Sequence, residues 1–195
     1  MKYYSEFTSC QWLLLVGLGG LAPTPVWGQR PAGLISSTHR FAYQAVVPVA
    51  NVSQADLVLR ARAWAHRVTP AGQIPVLATG PDTEVVRTTA GRPFAYEWGG
   101  KALLCQLRYT ATISVRAGRY KYELKDFVFV EPGAGRYPAS TTPAETYYNG
   151  SFHPYNDIAS RFQVTMRTCF TETVNEELAR LQEGMRNPVR TARSE

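Results

Sequence analysis

Residues Leu103 to Val130 read LLCQLRYTATISVRAGRYKYELKDFVFV, and the alternation within them decides the fold. Leu103, Cys105, Leu107, Tyr109, Ala111, Ile113 and Val115 are apolar, while Gln106, Arg108, Thr110, Thr112, Ser114 and Arg116 between them are polar. After Ala117-Gly118 the parity reverses: Tyr120, Tyr122, Leu124, Val128 and Val130 alternate with Arg119, Lys121, Glu123 and Lys125. A period of two on both sides of a glycine-containing turn predicts a long antiparallel hairpin. A two-residue loop sets Val115 opposite Tyr120, Ile113 opposite Tyr122, Ala111 opposite Leu124 and Leu107 opposite Val128, so one apolar face is continuous across both strands. Three residues break the pattern. Asp126 falls in the apolar register, opposite Tyr109, and Phe127 and Phe129 fall in the polar register, opposite Arg108 and Gln106.

A chain of 195 residues is long enough for one domain with a real core, and its formal charge is +6. That charge tolerates anionic partners, but the arginines are spread throughout and a solvated surface is the plainer reading. Leu13 to Ala22 is a short apolar run after a polar start that contains Lys2. It is too short to span a bilayer and fits the core of a signal peptide over residues 1–28, cleaved before Gln29. The mature protein is therefore expected to be exported, periplasmic or secreted, with no transmembrane segment left after cleavage. Export leaves Cys105 and Cys169, for which a disulfide and two separate buried thiols are both open. Two cysteines and three scattered histidines give no metal-ligand spacing, and no cofactor motif is present.

Around the hairpin the rest of the chain falls into place. His39 to Ala50 alternates and reads as a strand. Ser53 with Asp56 is a capping-box-like start for a helix to about Arg67, with Leu57, Ala61, Trp64 and Val68 as its buried stripe. Ile74 to Thr79 and Glu84 to Thr89 read as two short strands, and Thr89 to Lys101 as a loop carrying Phe94, Tyr96 and Trp98. Glu131 to Asn156 is rich in Pro, Gly, Ser, Thr and Tyr and reads as a flexible or functional insert whose aromatics lie partly on the body of the protein. Phe162, Met166, Phe170, Val174, Leu178, Leu181 and Met185 recur at helical spacing, with a break expected near Thr171 to Thr173. Asn187-Pro188 ends this helix, and residues 187–195 are expected to be a disordered tail. Residues 39–186 then form a single α+β domain. It is a two-layer sandwich in which a mostly antiparallel sheet of about five strands carries two helices on one face and leaves the other open.

The segment Ser53-Gln-Ala-Asp-Leu-Val-Leu-Arg60-Ala61-Arg-Ala-Trp64, together with the turn Gly118-Arg119-Tyr120, resembles the domain of unknown function 4468 family of exported Bacteroidota proteins. The resemblance covers about Phe41 to Val130, with a looser match at Asn175 to Met185. It implies a curved TATA-box-binding-protein-like (TBP-like) sheet with helices on its convex face. The family has no assigned activity, so no catalytic residue follows from it.

The open face is the expected working surface, through Arg108, Thr110, Lys121, Lys125, Phe127 and Phe129. Exposed rings beside arginine would suit stacking and charge-assisted hydrogen bonds to a glycan, a peptide or another envelope protein. The alternative is that the Pro-rich insert or Phe94 to Trp98 folds over this end and buries both phenylalanines. No GxSxG, HExxH, phosphate-binding glycine loop or paired-carboxylate spacing is present, and no catalytic residue is assigned. The expected function is a non-catalytic binding or structural module of the cell envelope; a bare sheet face would favour binding, and a purely structural protein predicts that Phe127 and Phe129 are buried. The enzyme reading is an envelope hydrolase with Asp126, His153 or Glu97 as acid-base groups, and their convergence in one cleft would favour it. Nucleic acid is not an expected partner, because export removes the protein from it. The oligomeric state is open.

Overall fold

The computed structural model describes residues 33–35, 40–133, 138–148 and 157–188. The strands are β1 (Gly33–Ile35), β2 (Phe41–Pro48), β3 (Val76–Thr79), β4 (Glu84–Trp98), β5 (Lys101–Arg116), β6 (Arg119–Glu131) and β7 (Ser140–Pro143), and the helices are α1 (Gln54–Val68) and α2 (Asp157–Arg186). All seven strands belong to one antiparallel sheet in the order β1-β2-β6-β5-β4-β3, with β7 added to β6 beyond the end of β2. Both helices lie on one face, as the two-layer α+β reading requires.

β5 is the spine of this sheet. It pairs with β6 on one side and along its whole length with β4 on the other. Near the Gly118 turn the register is the expected one, with Val115 opposite Tyr120, Ile113 opposite Tyr122 and Ala111 opposite Leu124. β4 differs from expectation: the predicted loop from Thr89 to Lys101 is the second half of a single fifteen-residue strand. Gly99 and Gly100, at φ 58° and 73°, close β4 onto β5 through the backbone that tight hairpin turns need. Pro93 is tolerated because β3 pairs only with Glu84 to Arg87, which leaves Pro93 on a local sheet edge.

α1 begins where its cap predicts, with the Ser53 hydroxyl accepting from the Asp56 amide at 3.1 Å. It buries Leu57, Ala61 and Trp64 against the sheet. α2 is one unbroken helix of thirty residues, so the expected break near Thr171 to Thr173 is absent. Its apolar stripe runs through that point. Glu176, which stands three residues after Thr173 at the spacing a helix-starting capping box would use, is instead engaged with Arg92 and Arg180. The helices cross at Gly184, where a Cβ would stand 2.9 Å from an Arg67 guanidinium nitrogen and 3.3 Å from Trp64 Cδ1. Arg60 of α1 donates to the Met185 and Arg186 carbonyls at 3.0 and 2.8 Å, placing a cation at the C-terminal end of α2.

The described part of the 131–156 insert is ordered onto the body. β7 extends the sheet beside β6, and a 3-10 turn at Ala144–Tyr147 buries Ala144 and Tyr147. Its Glu145 carboxylate accepts from the Phe41 amide at 2.7 Å and ties this segment to the start of β2. Phe170 of α2 sits at the centre of a ring cluster with Phe41, Tyr43, Phe127, Phe129 and Tyr148, at centroid distances of 5.2 to 6.3 Å. Residues 1–28, His39, His153 and residues 189–195 lie outside the described residues.

Candidate functional site

The open face is decided at Asp126. From Arg116 to Thr110 the β5–β6 register is regular; past Asp126 it slips by one, and Leu107 pairs with Phe129 and Arg108 with Val128. Asp126 is the extra residue of a β-bulge, at φ 57°, the left-handed conformation that Asp and Asn adopt more readily than other non-glycine residues. Both anomalies of the hairpin have this one cause. Phe127 and Phe129 turn inward and are each 1% exposed, and Val128 and Val130 turn outward. The open-face position of the two phenylalanines gives way to the other reading, their burial, with Phe94 and Tyr147 of the insert both against Phe129, and the pairing of Leu107 with Val128 is corrected. The rings are buried by the bulge itself together with α2 and the 3-10 turn, through Phe170 and Tyr147.

Asp126 is also displaced from its expected buried position opposite Tyr109. It is half-exposed and pairs with Arg40 at 3.5 Å. Glu97 is exposed near the other end of β5, opposite Ala102, about 20 Å along the strand from the bulge at 3.3 Å per residue. The two carboxylates proposed for acid-base chemistry do not converge. Cys105 and Cys169 are free thiols. Burial, then the Glu131 carboxylate, pushes Cys105 up to about 12, and burial followed by Glu172 raises Cys169. Neither is an activated nucleophile at neutral pH. Among the described residues no group of His, Cys, Asp and Glu could hold a metal ion.

Arg108, Thr110, Lys121 and Lys125 do share the open face. The register lays out successive rows across the strands: Arg116 with Arg119; Val85, Ser114 and Lys121; Arg87, Thr112 and Glu123; Thr89, Thr110 and Lys125; then Gly91, Arg108 and Val128. Glu123 is held by Lys125 at 3.1 Å, and Arg116 donates to the Thr83 hydroxyl at 2.8 Å. Among the described residues Arg87, Arg108, Arg119 and Lys121 enter no ion pair. At Gly91 the absence of a side chain leaves room for those of Gln106 and Arg108, since a Cβ would lie 2.5 Å from Gln106 Nε2. Arg87 and Thr89 are additions to the sequence-based set. Their signal was the alternation within the strand read over Glu84 to Thr89; what the sequence did not show was that this strand pairs with β5 and shares its open face.

A concavity of about 240 Å³ lies between β4 and α2 and is lined by Arg92, Phe94, Cys169, Glu172, Thr173 and Glu176 among others. Arg92 faces the helices and is bound by Glu176 at 3.5 Å and Glu177 at 3.6 Å. Glu177 is buried and also accepts from Tyr109 at 2.8 Å and Arg180 at 3.2 Å. Arg92 thus joins sheet to helix, and its charge is already answered.

An open antiparallel sheet with both helices on one face and a basic, hydroxyl-lined opposite face defines the class of this protein. The same fold is found in a DUF4468 family protein from Bacteroides ovatus ATCC 8483, with a TM-score of 0.56 and 11% identity over 78% of this chain and 90% of that one. A TBP-like protein from Parabacteroides distasonis ATCC 8503 is also similar, with a TM-score of 0.44 and 13% identity over 73% of this chain and 93% of that one. The fold of the first agrees with the fold implied by the resemblance carried by Ser53 to Trp64 and the Gly118 turn. No protein-family model and no curated protein matches the sequence. Among the described residues no helix is long and apolar enough to cross a membrane.

Proposed function

We propose that this chain is an exported, non-catalytic binding module of the bacterial cell envelope that works through the open face of its sheet. The observation that carries this reading is the set Arg87, Arg108, Arg119 and Lys121 on an uncovered face, without an ion-pair partner among the described residues. Folding gains nothing from cations left unanswered, and a strand face needs only polarity to meet water. A surplus of one charge sign on one face is a recognition feature. Export rests on the apolar run Leu13 to Ala22, and the partner is accordingly an envelope protein, peptide or glycan and not nucleic acid. The separation of Asp126 from Glu97 and the raised thiols weigh against the hydrolase reading.

The test is a pull-down from envelope extract with the wild-type chain and with Arg87→Ala/Arg108→Ala/Lys121→Ala, each checked for fold by circular dichroism. The expected result is loss of the captured partner by the folded variant. A folded variant that retains every partner overturns the open-face reading.

A further inference from the structure

We propose that the ligand of the open face is an acidic polysaccharide, held through its repeated carboxylate or sulfate groups; this rests on the open-face reading above and names its ligand class. The first support is what the bulge removes. With Phe127 and Phe129 turned inward, the outward positions of β2 and β4 to β6 carry no aromatic ring, as the cross-strand register shows. Neutral sugars and unpaired bases are held largely by stacking on aromatic side chains, and this face offers none. A protein partner would need a cluster of aromatic or aliphatic anchors, and the exposed aliphatics of this face stand apart, Val46 beside Lys121, Val76 beside Arg87 and Leu104 near the β4–β5 turn, with threonine, serine and long cations between them.

The second support is the layout of charge. Same-face residues recur about every 6.7 Å along a strand and neighbouring strands lie about 4.8 Å apart. Arg116 to Arg108 therefore spans about 27 Å along β5, with Arg119 and Lys121 beside it on β6 and Arg87 across on β4, while Glu123 in the same face is answered by Lys125 at 3.1 Å. The cations form a track instead of ringing a pocket, as a chain with a regularly repeated anion requires. Thr110, Thr112 and Ser114 between them supply hydroxyls for the uncharged oxygens of the same chain. The third support is a local cost. Arg116 and Arg119 are direct cross-strand partners, and like charges so placed oppose the hairpin unless an anion lies between them.

The experiment is affinity electrophoresis of the full chain through gels containing polygalacturonate, heparin or neutral dextran. Poly-glutamate and duplex DNA serve as acidic polymers that are not glycans. Retardation by polygalacturonate or heparin and none by dextran is expected, weakening steeply as salt screens the contacts. Carboxylate and sulfate ligands are distinguished by which of the two gels retards more. Arg119→Ala/Lys121→Ala should weaken retention about tenfold or more, whereas Lys101→Ala/Arg161→Ala, with the same loss of net charge elsewhere, should leave it within about twofold. Equal retention of the two variants, or tighter binding to poly-glutamate or DNA than to either acidic glycan, overturns the proposal. If Arg87→Ala/Arg108→Ala/Lys121→Ala loses its envelope partner while no acidic glycan retards the wild type, the ligand class falls and the open-face reading stands. If that variant keeps every partner, the open-face reading itself falls.

Discussion

The β5–β6 hairpin has two halves that meet at Asp126 and differ on both faces. Near the Gly118 turn the inner face is Ile113, Val115, Tyr120, Tyr122 and Leu124, under α1 and the end of α2, and the outer face is charged and hydroxylic. Beyond Asp126 the inner face is Phe127 and Phe129 in the aromatic cluster around Phe170, and the outer face carries the half-buried Val128 and Val130. The neighbour of β6 changes at the same place, from β2, whose pairing ends at Lys125, to β7, whose pairing begins at Val128. One extra residue thus lets a single strand serve two neighbours and keep its large side chains inside throughout. The contrast teaches that the bulge sorts residues by face: it gives the rings to the core and leaves the outer face near the turn to charge.

The strongest way to break this comparison is to empty the distal core. Phe127→Ala should cost about 3–5 kcal/mol in urea denaturation, and Val128→Ala less than about 1 kcal/mol, because only the first leaves a buried cavity. The reverse order would mean that the bulge is misplaced. Next in size is the tie beneath the bulge. Tyr109→Phe removes a buried hydrogen bond to the Glu177 carboxylate and should cost about 1.5–3 kcal/mol. The same residue carries a pH signature. Burial, then the Glu177 carboxylate, raises the Tyr109 phenol well above its ordinary 10.0. The folded protein holds that proton more tightly than the unfolded chain does, so its stabilisation is complete below pH 10 and declines as pH rises above it. Urea midpoints measured from pH 9 upward should fall less steeply for Tyr109→Phe than for the wild type; parallel curves would remove Tyr109 from the account.

Substitutions at the junction itself sharpen the point. Asp126→Val places a β-branched side chain at φ 57° and should cost about 1–2 kcal/mol, whereas Asp126→Gly, which exchanges the exposed Arg40 pair for a residue at ease there, should stay within about 0.5 kcal/mol. Equal costs in thermal denaturation would mean that the left-handed backbone does not set the choice of residue.

The proximal half was legible in the sequence because its alternation is regular and Gly118 marks the turn. The α1 cap and the two-layer arrangement were legible for the same kind of reason, a local pattern matched to a period. The distal half was legible only in principle. Asp126 in the apolar register followed by two phenylalanines in the polar one is what a strand looks like when one residue is counted that the ladder skips. Leaving out Asp126 restores a single alternation of Tyr120, Tyr122, Leu124, Phe127 and Phe129. The second half of β4 was missed because Gly91 and Pro93 are turn formers in isolation. That the strand survives depends on β3 stopping at its partner Arg87, a tertiary fact. Of the six open-face residues read from sequence, the four polar ones lie on that face and the two rings do not. The reason is the same single-residue slip.

The smallest expected effect separates recognition from folding most cleanly. If the proximal outer face exists for a ligand, its cations should contribute nothing to stability. Arg119 is exposed, has no ion-pair partner among the described residues and stands directly across from Arg116. Removing it deletes a like-charge cross-strand contact, so Arg119→Ala should leave the fold unchanged or stabilise it by about 0.2–0.5 kcal/mol at low salt. Screening shortens the reach of that repulsion to about 10 Å at 0.1 M and about 3 Å at 1 M salt, so the gain should vanish as salt is added. Paired thermal melts of wild type and variant across that salt range measure it directly. A variant that is less stable at every salt concentration would make Arg119 part of the scaffold, and the proximal and distal outer faces would then differ in composition without differing in role.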